Sequence, residues 1–205
     1  MGWIVKSRWN SPQGHAAEKA EILKLFTVTA DAAAQGVAYD VLQASKVGST
    51  WYVAAKVTGQ AYRPTCYVPD ADGTVTVAFV ILTSRANGEW GYKDMDECAG
   101  PREAKAPASL LDKLSALQDG DAAQYARAWR DHCRAYAARV KPAHGDKVRL
   151  ASPVPFTGTQ GQPVAVSEVE CTFYMRRGKK RTCYRHPDVG LLRLRPDHLT
   201  GATII

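Results

Sequence analysis

A helical repeat that stops and never resumes does most to limit how this chain folds. From Asp121 the apolar residues Ala122, Tyr125, Ala126, Trp129, Cys133, Tyr136, Ala137 and Val140 recur at the spacing of one helix face. Asp121, with Gln124 three residues later, has the form of a capping box at the start of that helix. The segment "KPAHGD" then breaks the helix, and no helical period follows. Instead come the short β-prone runs "KVRLA", "VAVSEVECTFYM", "RTCYR" and "LLRLR", separated by Gly158, Gly161, Pro153, Pro155 and Pro163. Strands without a helix among them predict a small SH3-like or partly open β-barrel.

Upstream of the helix the patterns are mixed. "HAAEKAEILKLF" places Ala16, Ala20, Leu23 and Phe26 near one helical face, with Glu18, Lys19, Glu21 and Lys24 elsewhere, and "ADAAAQG" reads as a second short helix stopped by Gly36. Even spacing of Val37, Tyr39, Val41 and Val47, the break "VGST" and the run "WYVAAKVT" predict a β-hairpin. "TVTVAFVILTSR" follows the turn signal "PDADG" as a third strand, apolar on both faces. "KAPASLLDKLSAL" carries a stripe of Leu110, Leu111, Leu114 and Leu117 behind Pro107, the spacing of another helix. The expected fold class is therefore α+β. An N-terminal antiparallel sheet with packed helices occupies residues 1–140, ending in the long amphipathic helix, and a small basic all-β domain occupies residues 141–205.

The longest apolar run, "VTVAFVIL", is far shorter than the roughly 20 residues that cross a bilayer, so no membrane contact is expected. "MGWIVKSRWN" lacks the apolar stretch of a signal peptide, and Lys6 stands where a myristoylation signal needs Ser or Thr. These features predict a cytoplasmic protein. Cys66, Cys98, Cys133, Cys171 and Cys183 are widely separated and contain no CxxC pair, which predicts free thiols and argues against a zinc ribbon.

Charge is segregated. Formal net charge is +7, and from Lys141 onward eleven Lys and Arg face five acids, a net of +6 that leaves +1 for the first 140 residues. Its densest point is "TFYMRRGKKRTCY". With Arg177 and Gly178 as the turn, a hairpin pairs Cys171 with Tyr184 and Thr172 with Cys183, and gathers basic side chains at one tip. Arg176, Arg177, Lys179, Lys180, Arg181 and Arg185 are the candidate nucleic-acid contacts, since Lys and Arg gain affinity for phosphates through counterion release. Arg193 and Arg195 extend the patch, and an outward-facing Tyr174 or Tyr184 would stack on unpaired bases. Arg127, Arg130 and Arg134 on the long helix, with Arg139 nearby, form a second basic stripe expected opposite Trp129.

Catalytic signatures are sparse. "GTQGQ" lacks the helix and Lys of a phosphate-cradling loop, and no nucleophile elbow or HExxH is present. No metal and no cofactor is expected, and the balance leans away from an enzyme. The one crowded acidic stretch, "WGYKDMDECAGP", reads as a loop, in which Asp94, Asp96 and Glu97 would hold a divalent ion if the protein were a metal-dependent hydrolase or nucleic-acid-modifying enzyme.

The same stretch, with the following "LLDKL" and the helix segment "WRDHC", resembles an uncharacterised domain-of-unknown-function family of bacterial plasmids, phages and other mobile elements. The resemblance covers much of residues 37–155 and rests on Tyr92, Lys93, Asp94, Asp96, Glu97, Gly100 and Pro101, for which it implies no role beyond a structural clasp. It implies an accessory binding protein, not an enzyme, engaging nucleic acid or a nucleic-acid-bearing host defence complex, with anti-defence activity as a purpose to test. A protein-binding inhibitor that meets an acidic protein surface and no nucleic acid is the further alternative.

Overall fold

The computed structural model describes residues 14–59, 66–86, 89–97, 105–176 and 178–205, and for residues 83–86, 89–96 and 179 the backbone alone. The fold is α+β. Two compact units divide after Cys133, inside the long helix.

In the first unit, α1 (His15–Lys24) and α2 (Ala30–Ala34) precede β1 (Ala38–Val47), β2 (Thr50–Thr58), β3 (Val75–Ala86) and β4 (Glu89–Asp96), which form one antiparallel meander in that order. The sheet thus has four strands where three were expected, because "EWGYKDMD" pairs with β3. Its polar, charged composition hid the strand from a reading based on apolar alternation. The β1–β2 hairpin turns at Gly48, whose φ of 63° suits a tight connection.

Alternation along β2 and β3 feeds three buried clusters, one of them Val57, Val75 and Val77 with Cys66, Tyr67 and Ala123. Tyr52, Ala54, Ala78 and Val80 pack with Leu110 and Leu111 of α3 (Ala108–Leu111) and with Trp129 and Cys133 of α4 (Gln124–Ala138). Trp51, Val53 and Ile81 pack with Ile22 of α1. Burial on both faces accounts for the near-continuous apolar run of β2. Removing a fully buried side chain such as Ile22 would cost roughly 2–5 kcal/mol.

Three helix expectations are corrected. Helix α1 buries Ile22 and Glu18 instead of the Ala16–Leu23 face. Glu18 is tolerated inside because its carboxylate accepts from the Trp51 indole at 3.0 Å and from the Lys46 ammonium. Helix α3 ends after Leu111, where the longer leucine stripe predicted more. Tertiary partners override the local helix propensity there. Ser115 N–H donates to the Thr76 carbonyl, Val68 N–H to the Ala116 carbonyl, and Tyr67 bridges to Leu117. Asp121 is no cap, but the first residue of a 3-10 turn (Asp121–Ala123) behind Gly120, and the buried face downstream is Ala126, Trp129, Arg130 and Cys133, with Tyr125 70% exposed.

The cysteine expectation is corrected in part. Cys133, Cys171 and Cys183 are buried free thiols, but Cys66 is disulfide-bonded, and Cys98 lies outside the described residues. Spacing along the chain carries no information on how closely thiols approach in space. No helix among the described residues is long and apolar enough to cross a membrane.

The second unit is a five-stranded antiparallel sheet built from β5 (Lys147–Thr157), β6 (Pro163–Arg176), β7 (Lys179–His186), β8 (Gly190–Leu192) and β9 (Thr203–Ile204), in the order β8-β7-β6-β5-β9. β8 and β9 are its edges, and no closed barrel forms among the described residues. Val148, Leu150, Val166, Val169, Cys171, Tyr184, Leu192 and Leu199 make its core, with Val140 packed against it. The Thr200 hydroxyl donates to the Ala135 carbonyl at 3.1 Å and the Val140 N–H to the Leu199 carbonyl at 3.1 Å, which anchors the helix end to this core.

Candidate nucleic-acid interface

Around the row of Lys147, Glu170 and Arg185, strand alternation sorts the second sheet into one buried and one open face, while the next outward pair, Thr172 and Cys183, is buried. Val148, Leu150, Val169, Cys171, Tyr184 and Leu192 point into the core, so their neighbours Lys147, Arg149, Glu168, Glu170, Arg185 and Leu191 stand outward. Register aligns Lys147 with Glu170, Glu170 with Arg185 and Arg185 with Leu191, one row across four strands. Lys147, Glu168, Val169, Glu170, Arg185 and Pro187 line an open depression of about 350 Å³ there. In the next row the Arg149 Nε donates to Glu168 at 2.8 Å, a pair so exposed that it adds about 1 kcal/mol at most.

Toward the hairpin the face becomes purely basic. Tyr174 pairs with Arg181 and Arg176 with Lys179, and the Arg193 guanidinium reaches the Tyr174 hydroxyl with an N···O distance of 2.5 Å. Across the whole face, Lys147, Arg149, Arg176, Arg181, Arg185 and Arg193 outnumber Glu168 and Glu170 by six to two. Such a surface attracts polyanions at long range and can place guanidinium groups against phosphates.

The hairpin register is the one the sequence implied, with Cys171 opposite Tyr184 and Thr172 opposite Cys183. Gly178 takes the φ of 72° that a two-residue turn demands, while Arg177 lies outside the described residues. The site residues do not all share a face. Arg176, Arg181 and Arg185 lie together, whereas Lys180 is on the opposite side, in register with Met175, its ammonium 3.8 Å from the centre of the Phe173 ring. The His144 ring stacks on the same phenyl at 5.4 Å. Tyr184 is no stacking platform, being 4% exposed, and burial, reinforced by the Cys171 thiol, pushes its phenol up to about 12. Arg195 is drawn off toward Asp197 at 3.0 Å and His198, whose imidazole burial holds below its usual range. Lys147 and Arg149 were missed as site residues, though the strict alternation of "KVRLA" signals them.

The second basic stripe is corrected. Arg130 is buried, its Nε 2.6 Å and its Nη2 2.8 Å from the two carboxylate oxygens of fully buried Glu97. Arg127 donates to the Gln118 carbonyl and lies near Asp119, so no continuous solvated stripe runs along α4. The phenol of Tyr67 is pushed well above the usual tyrosine range by burial first and by Glu97 second, with a hydrogen bond to that carboxylate.

That pairing defines Glu97 of the "GYKDMDE" motif as a clasp between the strand end and α4. Tyr92, Lys93, Asp94 and Asp96 sit on strand β4, opposite Thr83, Leu82, Ile81 and Phe79, and not in a loop. Gly100 and Pro101 lie outside the described residues. Both Glu97 oxygens are engaged by a guanidinium, whose positive charge opposes a cation at the same carboxylate. No group of three His, Cys, Asp or Glu side chains with metal-site spacing occurs among the described residues.

Residues 120–196 match a family described as a domain of unknown function, DUF6927. The match takes in α4 and the strands through β8. It overlaps the resemblance noted from the sequence only over residues 120–155 and leaves the "GYKDMDE" motif outside. No curated protein and no solved structure matches the chain.

Proposed function

We propose that this chain is a non-enzymatic binding protein whose second unit engages nucleic acid through the open basic face of its sheet and the hairpin beyond it. The observation that carries the reading is the segregation of charge. A net of +6 falls in the last 65 residues, and six of those cations lie on one side of the sheet, on either side of the buried Thr172–Cys183 pair. A flat sheet with an exposed row of Arg and Lys makes phosphate contacts that supply affinity without reading sequence. In the mobile-element setting implied by the sequence resemblance, the physiological target would be a nucleic-acid-bearing host defence complex. The hydrolase alternative loses force because Glu97, one of its three carboxylates, is committed to Arg130.

The test compares the intact protein with a variant in which Arg176, Arg177, Lys179, Lys180 and Arg181 are all serine, titrated with labelled single- and double-stranded DNA and RNA across a salt series. Five lost phosphate contacts would flatten the slope of log K against log salt by up to about 4.5. Absence of salt-dependent binding by the intact protein would overturn the reading and direct attention to an acidic protein surface.

A further inference from the structure

We infer that the ribbon formed by the ends of β6 and β7 enters the major groove of double-stranded, B-form DNA. This rests on the nucleic-acid reading above and names its substrate class. Beyond the Cys171–Tyr184 pair, strands β6 and β7 have no third strand beside them among the described residues, since β5 pairs only up to Glu170 and β8 only from Tyr184. The first further pair, Thr172–Cys183, is buried, and the four beyond it, Phe173–Thr182 to Arg176–Lys179, make a two-stranded ribbon roughly 14 Å long at the usual strand rise. The major groove, about 12 Å wide, admits such a ribbon.

Charge on the ribbon has the distribution a groove requires. Arg176 and Arg181 occupy one side and Lys180 the other, while residues 172–183 contain no Asp or Glu. A groove presents phosphates along both walls, so cations on both sides of an inserted ribbon find partners. An isolated strand lying on one face would leave the other side's charge unused. Exposed Met175 and Thr182 add uncharged groups on the Lys180 side, suited to base edges and the thymine methyl.

The aromatic rings argue in the same direction. Base stacking on single strands needs bare ring faces. Phe173 carries His144 stacked on its ring, Tyr174 is half-buried with its hydroxyl bonded to Arg193, and Tyr184 is in the core.

The experiment is fluorescence anisotropy of the intact protein on a DNA duplex, on its two separated strands and on an RNA duplex of the same sequence, whose major groove is too deep and narrow for a ribbon. Methyl green serves as the major-groove competitor and distamycin as the minor-groove one. The expected result is a preference for the DNA duplex of roughly tenfold or more, the size of one or two good groove contacts, with displacement by methyl green alone. Lys180→Ser and Arg181→Ser, on opposite sides of the ribbon, should each lower the salt slope by about one. Equal binding to single strands or to the RNA duplex, displacement by distamycin, or a slope that responds on one side only would overturn the groove assignment while leaving the nucleic-acid reading standing. No salt-dependent binding to any probe would overturn both.

Discussion

Replacing Arg130 by methionine tests the clasp at the end of the "GYKDMDE" motif. Methionine keeps much of the length of the side chain but removes both donors, leaving Glu97, fully buried, with its negative charge uncompensated. Breaking one partner of such a buried pair costs about 3–5 kcal/mol. At 2–4 °C per kcal/mol for a chain of this size, the midpoint of thermal unfolding should fall by about 6–20 °C. Calorimetry or circular dichroism reads the change directly, and a urea titration with unchanged slope would assign it to stability instead of altered compactness. Glu97→Leu combined with Arg130→Met removes both charges and should recover most of the loss, because a well-packed apolar pair often equals a buried ion pair. Tyr67 then loses its carboxylate acceptor, a penalty of about 1–3 kcal/mol, so adding Tyr67→Phe should bring the protein nearest to wild type. A loss below about 1 kcal/mol for Arg130→Met, or no recovery in the multiple variants, would refute the argument that the pair is a dry structural clasp.

Alkaline titration should show late ionisation of Tyr184. Its folded value of about 12 lies above the ordinary value of about 10, so the stability it contributes is complete below about pH 10 and is lost as pH rises through 12. Tyrosinate absorbance followed alongside unfolding would check this, and an unchanged profile in Tyr184→Phe would contradict it. Glycine substitutions separate strain from collision. Gly48→Ala meets no atom within 4 Å and should cost only the left-handed backbone penalty, about 1–2 kcal/mol. Gly59→Ala, whose added carbon would lie 2.8 Å from the Gly36 carbonyl oxygen, should cost measurably more by chemical denaturation, and equal losses at the two sites would count against that close approach.

Much of this fold is legible in residue order because its signals are local. The Gly48 turn and the alternation around it specify the β1–β2 hairpin, and the short step from Arg176 to Lys179 past Gly178 specifies the register of β6 on β7, since turn length determines which residues face each other. The basic excess after Lys141 is likewise a property of composition. What residue order cannot express is which distant groups meet. Glu18 and Arg130 look like solvated helix charges until Trp51, Lys46 and Glu97 arrive from other elements and make their burial affordable. The leucine stripe after Pro107 has a helical period, yet only its first turn is helical, because the β-bridge to Tyr67 and the hydrogen bonds to Thr76 and Val68 outweigh a propensity of a few tenths of a kcal/mol per residue.

The same division governs the candidate interface. The sequence by itself determined how many cations the second unit carries and that a hairpin displays them. Tertiary structure alone decided that Lys147 and Arg149 join Arg181, Arg185 and Arg193 on one surface, that Lys180 faces the other way, and that Tyr184 is core. A strand's two faces are equivalent until a hydrophobic core covers one of them, and which one is covered depends on residues far away in the chain.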